Sequence, residues 1–273
     1  MSKETIRAFY DEQVQYEWER MERHPIEWIL TTHELEKTIK PGDSVLDLGG
    51  GPGRYTLHFA RLGCKVTLVD LSDGCVAWAK ARAEKEGLDI KFMQGDALEA
   101  DELLAGQSFD HVLMMGPLYH LLLEEDRRKA VQNGITLTKP GGRVYLSFLL
   151  MFSGVIFYMS SCPEMILGEA ETPFLDAVKG GYSYGGPAFT EAFFIDQKEI
   201  LPFIAPFGLE DQHLFGQEGI LGQFENQWLL QSEDVQKAFL DLAIPLLERP
   251  EYLSYAEHAM LHGRKPQKQD HSR

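Results

Sequence analysis

The stretch Val45-Leu46-Asp47-Leu48-Gly49-Gly50-Gly51-Pro52-Gly53-Arg54-Tyr55 runs from an apolar strand through a glycine turn into a helix. Alternate glycines, Gly49, Gly51 and Gly53, let the backbone take positive φ and bring a ligand against bare main chain. A plain strand-to-helix turn needs only one glycine, so this density, with Gly50 inside it, implies a nucleoside-cofactor site. Asp47 stands at the strand end, where a carboxylate can orient the turn and a ligand's ammonium group. Asp70 closes the next apolar strand, Lys65-Val66-Thr67-Leu68-Val69-Asp70, at the spacing from which an acid reaches ribose hydroxyls in a doubly wound sheet. A dinucleotide turn would carry its third glycine at position 54, which is Arg54 here, so the pattern points away from NAD.

Further motifs follow in order: Val69-Asp70-Leu71-Ser72, Gly95-Asp96-Ala97 and Lys139-Pro140-Gly141-Gly142. Together with the glycine turn, this ordered set resembles the class I S-adenosylmethionine-dependent methyltransferases from about residue 40 to about residue 150. Gly116-Pro117-Leu118-Tyr119-His120-Leu121, and Glu17-Trp18-Glu19-Arg20 with His24, are similar to a group of prokaryotic small-molecule methyltransferases, many of undefined substrate.

The resemblance implies an α/β, Rossmann-like fold: a seven-stranded, mostly parallel sheet with an antiparallel last strand, amino-terminal helices and an inserted cap. It implies S-adenosyl-L-methionine as cofactor and methyl transfer to a small-molecule acceptor. The alternative is a module that binds S-adenosylmethionine or adenosylhomocysteine for regulation and transfers nothing.

Within that resemblance Asp70 would hold the ribose, Leu71 would pack on the adenine face, Asp96 would accept the adenine amine and the Ala97 amide would face a ring nitrogen. Met115 and Gly116 would lie beside the transferred methyl. The helix carrying Tyr10, Tyr16, Arg20 and His24 would fold over the cleft, with Arg20 paired to the methionine carboxylate. His120, next to the loop that closes the fourth strand, is a candidate base near neutral pH, and Tyr119 is a second; His213 and Glu191 become candidates if the cap folds inward. The loop lacks the Asn/Asp-Pro-Pro-Tyr/Phe of amino-methylating relatives, so nucleic-acid and protein-glutamine methylation lose support.

Composition narrows the class further. Apolar residues are 44% and charged residues 25%, ordinary for a globular chain of 273 residues. A net charge of -16 repels polyphosphate, so no nucleic-acid partner is expected. Cys64, Cys75 and Cys162 form no C-x-x-C pair and no His/Cys cluster at zinc spacing, which fits reduced thiols in a cytoplasmic protein and no structural metal. The polar start has no apolar h-region, and the longest apolar run, 145–159, is too short and too interrupted for a membrane helix. A homodimer is compatible with all of this.

Five segments are expected: an amino-terminal helical cap over 1–40, a cofactor-binding core over 41–150, and an inserted lid over 151–194. The rest of the core follows over 195–263 with a helical insertion near 222–248, and then a frayed tail from 264. In the lid, Phe152, Phe157, Tyr158, Phe174, Tyr182, Tyr184, Phe189, Phe193 and Phe194 are candidate walls of an apolar acceptor pocket.

Overall fold

The structure is a computed structural model that describes residues 3–188 and 191–267. It begins with three helices, α1 (Lys3–Glu12), α2 (Val14–Arg23) and α3 (Pro25–Glu36). The repeating part then runs β1 (Ser44–Leu48), α4 (Arg54–Arg61), β2 (Lys65–Asp70), α5 (Asp73–Glu86), β3 (Lys91–Gln94), α6 (Ala100–Leu103), β4 (Phe109–Met114), α7 (Glu124–Leu137) and β5 (Thr138–Leu150). The middle segment holds α8 (Met151–Ser161), α9 (Thr172–Gly180), β6 (Tyr184–Pro187) and β7 (Glu191–Ile195). The chain closes with α10 (Gln197–Ile204), β8 (Glu210–Gly216), α11 (Glu225–Leu229), α12 (Glu233–Ala243), α13 (Pro250–Leu253) and β9 (His258–Arg264).

Strands β3, β2, β1, β4 and β5 lie side by side and parallel, because each is linked to the next by a crossover that packs a helix on the sheet. β9 then pairs antiparallel with β5 and with β8, completing the seven strands expected. The described sheet has nine strands, since the inserted segment adds the hairpin of β6 and β7, and β7 joins β5 at Leu149 and Leu150. No long period marked that hairpin in the sequence, because two of the four residues of β6 are glycines with no side chain to display alternation.

Strands buried on both faces read as continuous apolar runs, and Leu46, Leu48, Leu68, Val112 and Leu146 are completely buried. The third helix packs Ile26, Leu30 and Leu35 against Phe59, Leu113 and Phe215, so α3 belongs to the core, whereas α1 buries no residue and α2 only Val14. Pro25 opens α3 as its position predicts, while a further break at Gln13 divides the first helical stretch into α1 and α2. The tail expected to fray from residue 264 is held at its start: the Lys265 amide donates to the Gly142 carbonyl and its Nζ to those of Ile135 and Thr138. No helix among the described residues is long and apolar enough to cross a membrane.

Strands β3, β2, β1, β4 and β5 point their carboxyl ends at one edge of the sheet, and the antiparallel β9 begins there. That edge carries the cleft described next, as the topology of an open α/β sheet dictates.

Candidate active site

The cleft is lined on one side by the ends of β1, β2, β3 and β4 and on the other by α1, α2 and the start of β9. Asp47, Gly49, Gly50, Gly51, Asp70, Leu71, Asp96, Ala97, Met115, Gly116, Tyr119, His120 and Arg20 all line it. Gly53 and Tyr16 do not.

Gly53 takes φ of 84° at the start of α4, and a Cβ there would come within 2.8 Å of the Ala79 Cβ on α5. Its absent side chain lets two helices close on each other and does not contact the cleft. A Gly53→Ala protein is therefore expected to lose about 1 kcal/mol or more of stability from left-handed strain and overlap. Its folded form should keep its cofactor affinity. Urea unfolding together with ligand titration checks both halves. Gly51 differs, since a Cβ on it would meet nothing within 4 Å. At Gly50 an added Cβ would press within 2.6 Å of the Asp47 carboxyl carbon, so that glycine makes room for the carboxylate.

Asp47 is 1% exposed, accepts a 2.6 Å hydrogen bond from Thr56 Oγ1 at Oδ2, and leaves Oδ1 buried with no partner. Burial, followed by the Asp70 charge, pushes its pKa up to about 6. A buried carboxylate oxygen aimed into a cleft with no donor is a costly feature unless a cationic group meets it. Asp70 takes the Gly51 amide at 2.7 Å and the Ser72 amide at 2.8 Å, one on each oxygen, which tethers the glycine turn to the end of β2. Burial raises it to about 6 as well. Each of its oxygens keeps a second lone pair for a hydroxyl. The residues thus fit an amino-acid nucleoside: an orphaned acceptor for an ammonium, a bare glycine backbone, and a strand-end acid.

Asp96 caps the turn after β3 by accepting from the Leu98 amide at 2.9 Å, and its other oxygen pairs with Lys3 from α1. The loop is supported from behind by Asn133, whose Nδ2 donates to the Ala97 carbonyl at 2.9 Å. Asp11 of α1 accepts from Ser72 Oγ and the Gly74 amide, so α1 is tied to the same side of the cleft at a second point.

Tyr16 was expected over the cofactor, but it lies 57% exposed with the Arg23 guanidinium 3.7 Å from its ring centre. The break at Gln13 turns α2 relative to α1, so Tyr10 and Glu17 occupy the cleft instead. Arg20 does line the cleft, yet its fork is engaged by Glu27 through bonds of 3.0 and 2.6 Å. Burial would raise Glu27, and the adjacent Arg20 outweighs it and holds the carboxyl below its ordinary range.

His120 bonds the Tyr10 hydroxyl at 2.7 Å through Nε2, and burial lowers its pKa to about 4. It is a neutral ring that ties α1 to the loop after β4, a poor match for a base near neutral pH. Tyr119 donates to the Met115 carbonyl at 3.1 Å and is raised by burial, so it enters the site as a neutral hydroxyl.

A group that no local motif announced completes the cleft. His258, at the first position of β9, places Nδ1 2.7 Å from Glu218 Oε1, just beyond the end of β8. Glu218 Oε2 accepts the amides of Glu257 and His258, which locks that carboxylate. Burial would lower His258, but Glu218 and Glu27 overcome it and raise the ring above its ordinary value. Ser147, also in the lining, donates to Gln217 Oε1 at 2.5 Å.

The aromatic residues of 151–194 do not form the acceptor wall expected of them. None of the described residues of that segment lines the cleft. Tyr158, Tyr184 and Phe194 pack edge-to-face on Phe174 as a small core, Phe193 lies under Arg127, and Phe152, Phe157 and Tyr182 face solvent. Phe189 lies outside the described residues. His213 pairs with Glu248 and stacks on His262, away from the cleft.

Comparison with known proteins agrees with the geometry. Residues 45–142 match a family described as "Methyltransferase domain". Ubiquinone biosynthesis O-methyltransferase from Coxiella burnetii is 34% identical over 116 residues, 42% of this chain and 46% of that protein. The enzyme of the same name from Cronobacter sakazakii is 29% identical over 175 residues, 64% of this chain and 65% of that one. The matches therefore span about half to two thirds of these relatives.

Among solved structures, magnesium protoporphyrin IX methyltransferase from Synechocystis with bound adenosylhomocysteine superposes with a TM-score of 0.55 at 15% identity, covering 97% of this chain and all of that one. A methyltransferase from Methanosarcina mazei gives 0.56 at 16% identity, over 86% of this chain and 97% of that one. Residues 45–142 are thus similar to a methyltransferase domain, and the chain shares its fold with methyltransferases of known structure.

Proposed function

We propose that the protein transfers the methyl group of S-adenosylmethionine to a small molecule held beside Tyr119, Ser147 and His258. The observation that carries this reading is the buried, unpartnered Oδ1 of Asp47 beside a glycine turn that Asp70 fastens at 2.7 Å. Asp47 would take the cofactor's ammonium, Asp70 the ribose hydroxyls, and Leu71 and Ala97 the adenine. Met115 and Gly116 would flank the sulfur. The Arg20 fork is occupied by Glu27, so the cofactor carboxylate would fall to its remaining N–H groups.

The bound sulfonium supplies an already activated methyl, and the protein's part is to position the acceptor and exclude water. The α1 contacts to Asp96, Ser72 and His120 would close the cleft over the reacting groups. The naming of its relatives as O-methyltransferases supports oxygen as the acceptor atom.

The same reading favours a cytoplasmic enzyme without nucleic-acid or membrane partners, in keeping with three free thiols and an acidic surface.

Thermal shift tests the proposal. Adenosylhomocysteine at about 100 times its Kd should add about 2.7 kcal/mol of apparent stability, and NADH should add none. Stabilisation by NADH alone would sink the reading. A radiolabelled-methyl screen over small-molecule pools then separates transfer from mere binding.

A further inference from the structure

The acceptor side of the cleft brings together Glu27, Glu218 and His258, whose ligating atoms all lie within 4.8 Å of one another. Such a trio invites a metal-site reading, and the bonding opposes it. Both oxygens of Glu27 already face the Arg20 guanidinium, a cation in place, and Glu218 spends Oε2 on two backbone amides and Oε1 on the imidazole. What remains uncommitted is one side of an oriented ring. With Nδ1 held by a carboxylate, the neutral imidazole carries its proton there and presents the Nε2 lone pair. His258 lines the cleft, with its ring 6.1 Å from that of Tyr119.

We propose that His258, oriented by Glu218, is the general base that takes the proton from a hydroxyl acceptor. The proposal rests on the methyltransferase reading, with oxygen as the acceptor atom, and deepens it by naming the group that takes the hydroxyl proton. The acceptor O–H bond breaks toward Nε2 as the new O–CH3 bond forms and the S–CH3 bond breaks. The C–S electron pair stays on sulfur and turns the sulfonium into a neutral thioether. The imidazolium is balanced by Glu218 and returns its proton to water. This is the nucleophile, base and orienting-acid logic found wherever a hydroxyl must be activated.

The groups that set this proton's fate come from every neighbouring element: Glu218 after β8, Glu27 on α3, Arg20 on α2, His24 at the α2–α3 junction, and Glu257 beside His258 itself. Glu257 is raised by burial and by Glu218. His258 is thus surrounded by carboxylates that favour its protonated form, which suits a residue that must hold a proton after transfer.

The experiment compares wild type, His258→Gln and Glu218→Gln with radiolabelled S-adenosylmethionine and two kinds of acceptor. One is a set of simple phenols and catechols, neutral at pH 7; the other is their dinitro-substituted counterparts, already ionised at that pH. Loss of a base should lower kcat on the neutral acceptors about 100-fold or more in His258→Gln and leave the ionised ones within a few-fold. Glu218→Gln should fall between, and the Nδ1–H tautomer of His258, read by nitrogen NMR, should be present in wild type and lost in that variant.

Equal losses on both acceptor sets would mean a structural role and would overturn the proposal. So would unchanged rates, absence of the Nδ1–H tautomer in wild type, or activity removed by a chelator and restored by magnesium, which marks a cation site. Wild type that binds adenosylhomocysteine but methylates only amines or thiols overturns the hydroxyl acceptor alone. Wild type that fails to bind adenosylhomocysteine overturns the underlying reading instead.

Discussion

Asp47→Asn is expected to bind adenosylhomocysteine about 10- to 100-fold more weakly than the unaltered protein, yet to unfold at a higher temperature when no ligand is present. The first half follows from replacing a charged acceptor for an ammonium by a neutral amide, a difference of about 1.5 to 3 kcal/mol. The second follows from burial. At 1% exposure the carboxylate is held in a site that pushes its pKa up to about 6, so ionisation at neutral pH works against the fold. An amide carbonyl can still accept from Thr56, whose bond to Asp47 is 2.6 Å, and no charge is left buried. Calorimetric titration and thermal melts read the two effects separately. Unchanged affinity would remove Asp47 from the cofactor site; a lowered melting temperature would mean that the carboxylate stabilises the empty fold.

Acidification should separate folding from binding in the same way. Asp47 and Asp70 both rise to about 6 in the folded chain, against an ordinary value of 3.8. Between about pH 4 and pH 6 the folded protein therefore holds more protons on these two groups than the unfolded chain does. Their contribution makes the ligand-free protein less stable as pH rises through that window, and the effect levels off above it. Cofactor binding runs the other way, because an ammonium and ribose hydroxyls need ionised acceptors. Affinity should climb by up to roughly tenfold per pH unit for each carboxylate below its pKa. Titrations at pH 5, 6 and 7, paired with urea unfolding of the ligand-free protein, check the opposed slopes. Affinity that does not change between pH 5 and 7 would overturn the assignment of both acids.

The half of the cleft proposed to hold the cofactor could be assembled from sequence because its parts are local. Asp47 and the glycine turn are contiguous, and Asp70 and Asp96 each end a strand whose apolar run announces it. One alternating pattern of strand and helix brings all three to the same sheet edge. The half proposed to hold the acceptor has no such signature. Glu27, Glu218 and His258 come from a helix, a strand end and the last strand, and only the antiparallel insertion of β9 beside β5 makes them neighbours.

Local reading also failed where geometry depends on one residue of phase. A single helix over the first stretch would set Tyr16 beside Phe9, whereas the break at Gln13 turns it to solvent and leaves Tyr10 inside. In the inserted segment an abundance of aromatic residues resembled a pocket wall, but rings that can reach one another pack together first, as Phe174 does with Tyr158, Tyr184 and Phe194.

The late position of β9 has a consequence for the chain as it is made. β5 is complete at Leu150, and its second edge waits for residues 258–264 to fill the gap between it and β8. At a ribosomal rate of 5 to 20 residues per second, that wait lasts roughly 5 to 20 s. During it, most of an apolar strand presents unpaired amides and carbonyls along that edge, since β4 and β7 pair with the other one. The nascent protein would acquire its cofactor-binding turn first and its proposed base last, passing through an aggregation-prone interval in which a chaperone would protect an almost finished sheet.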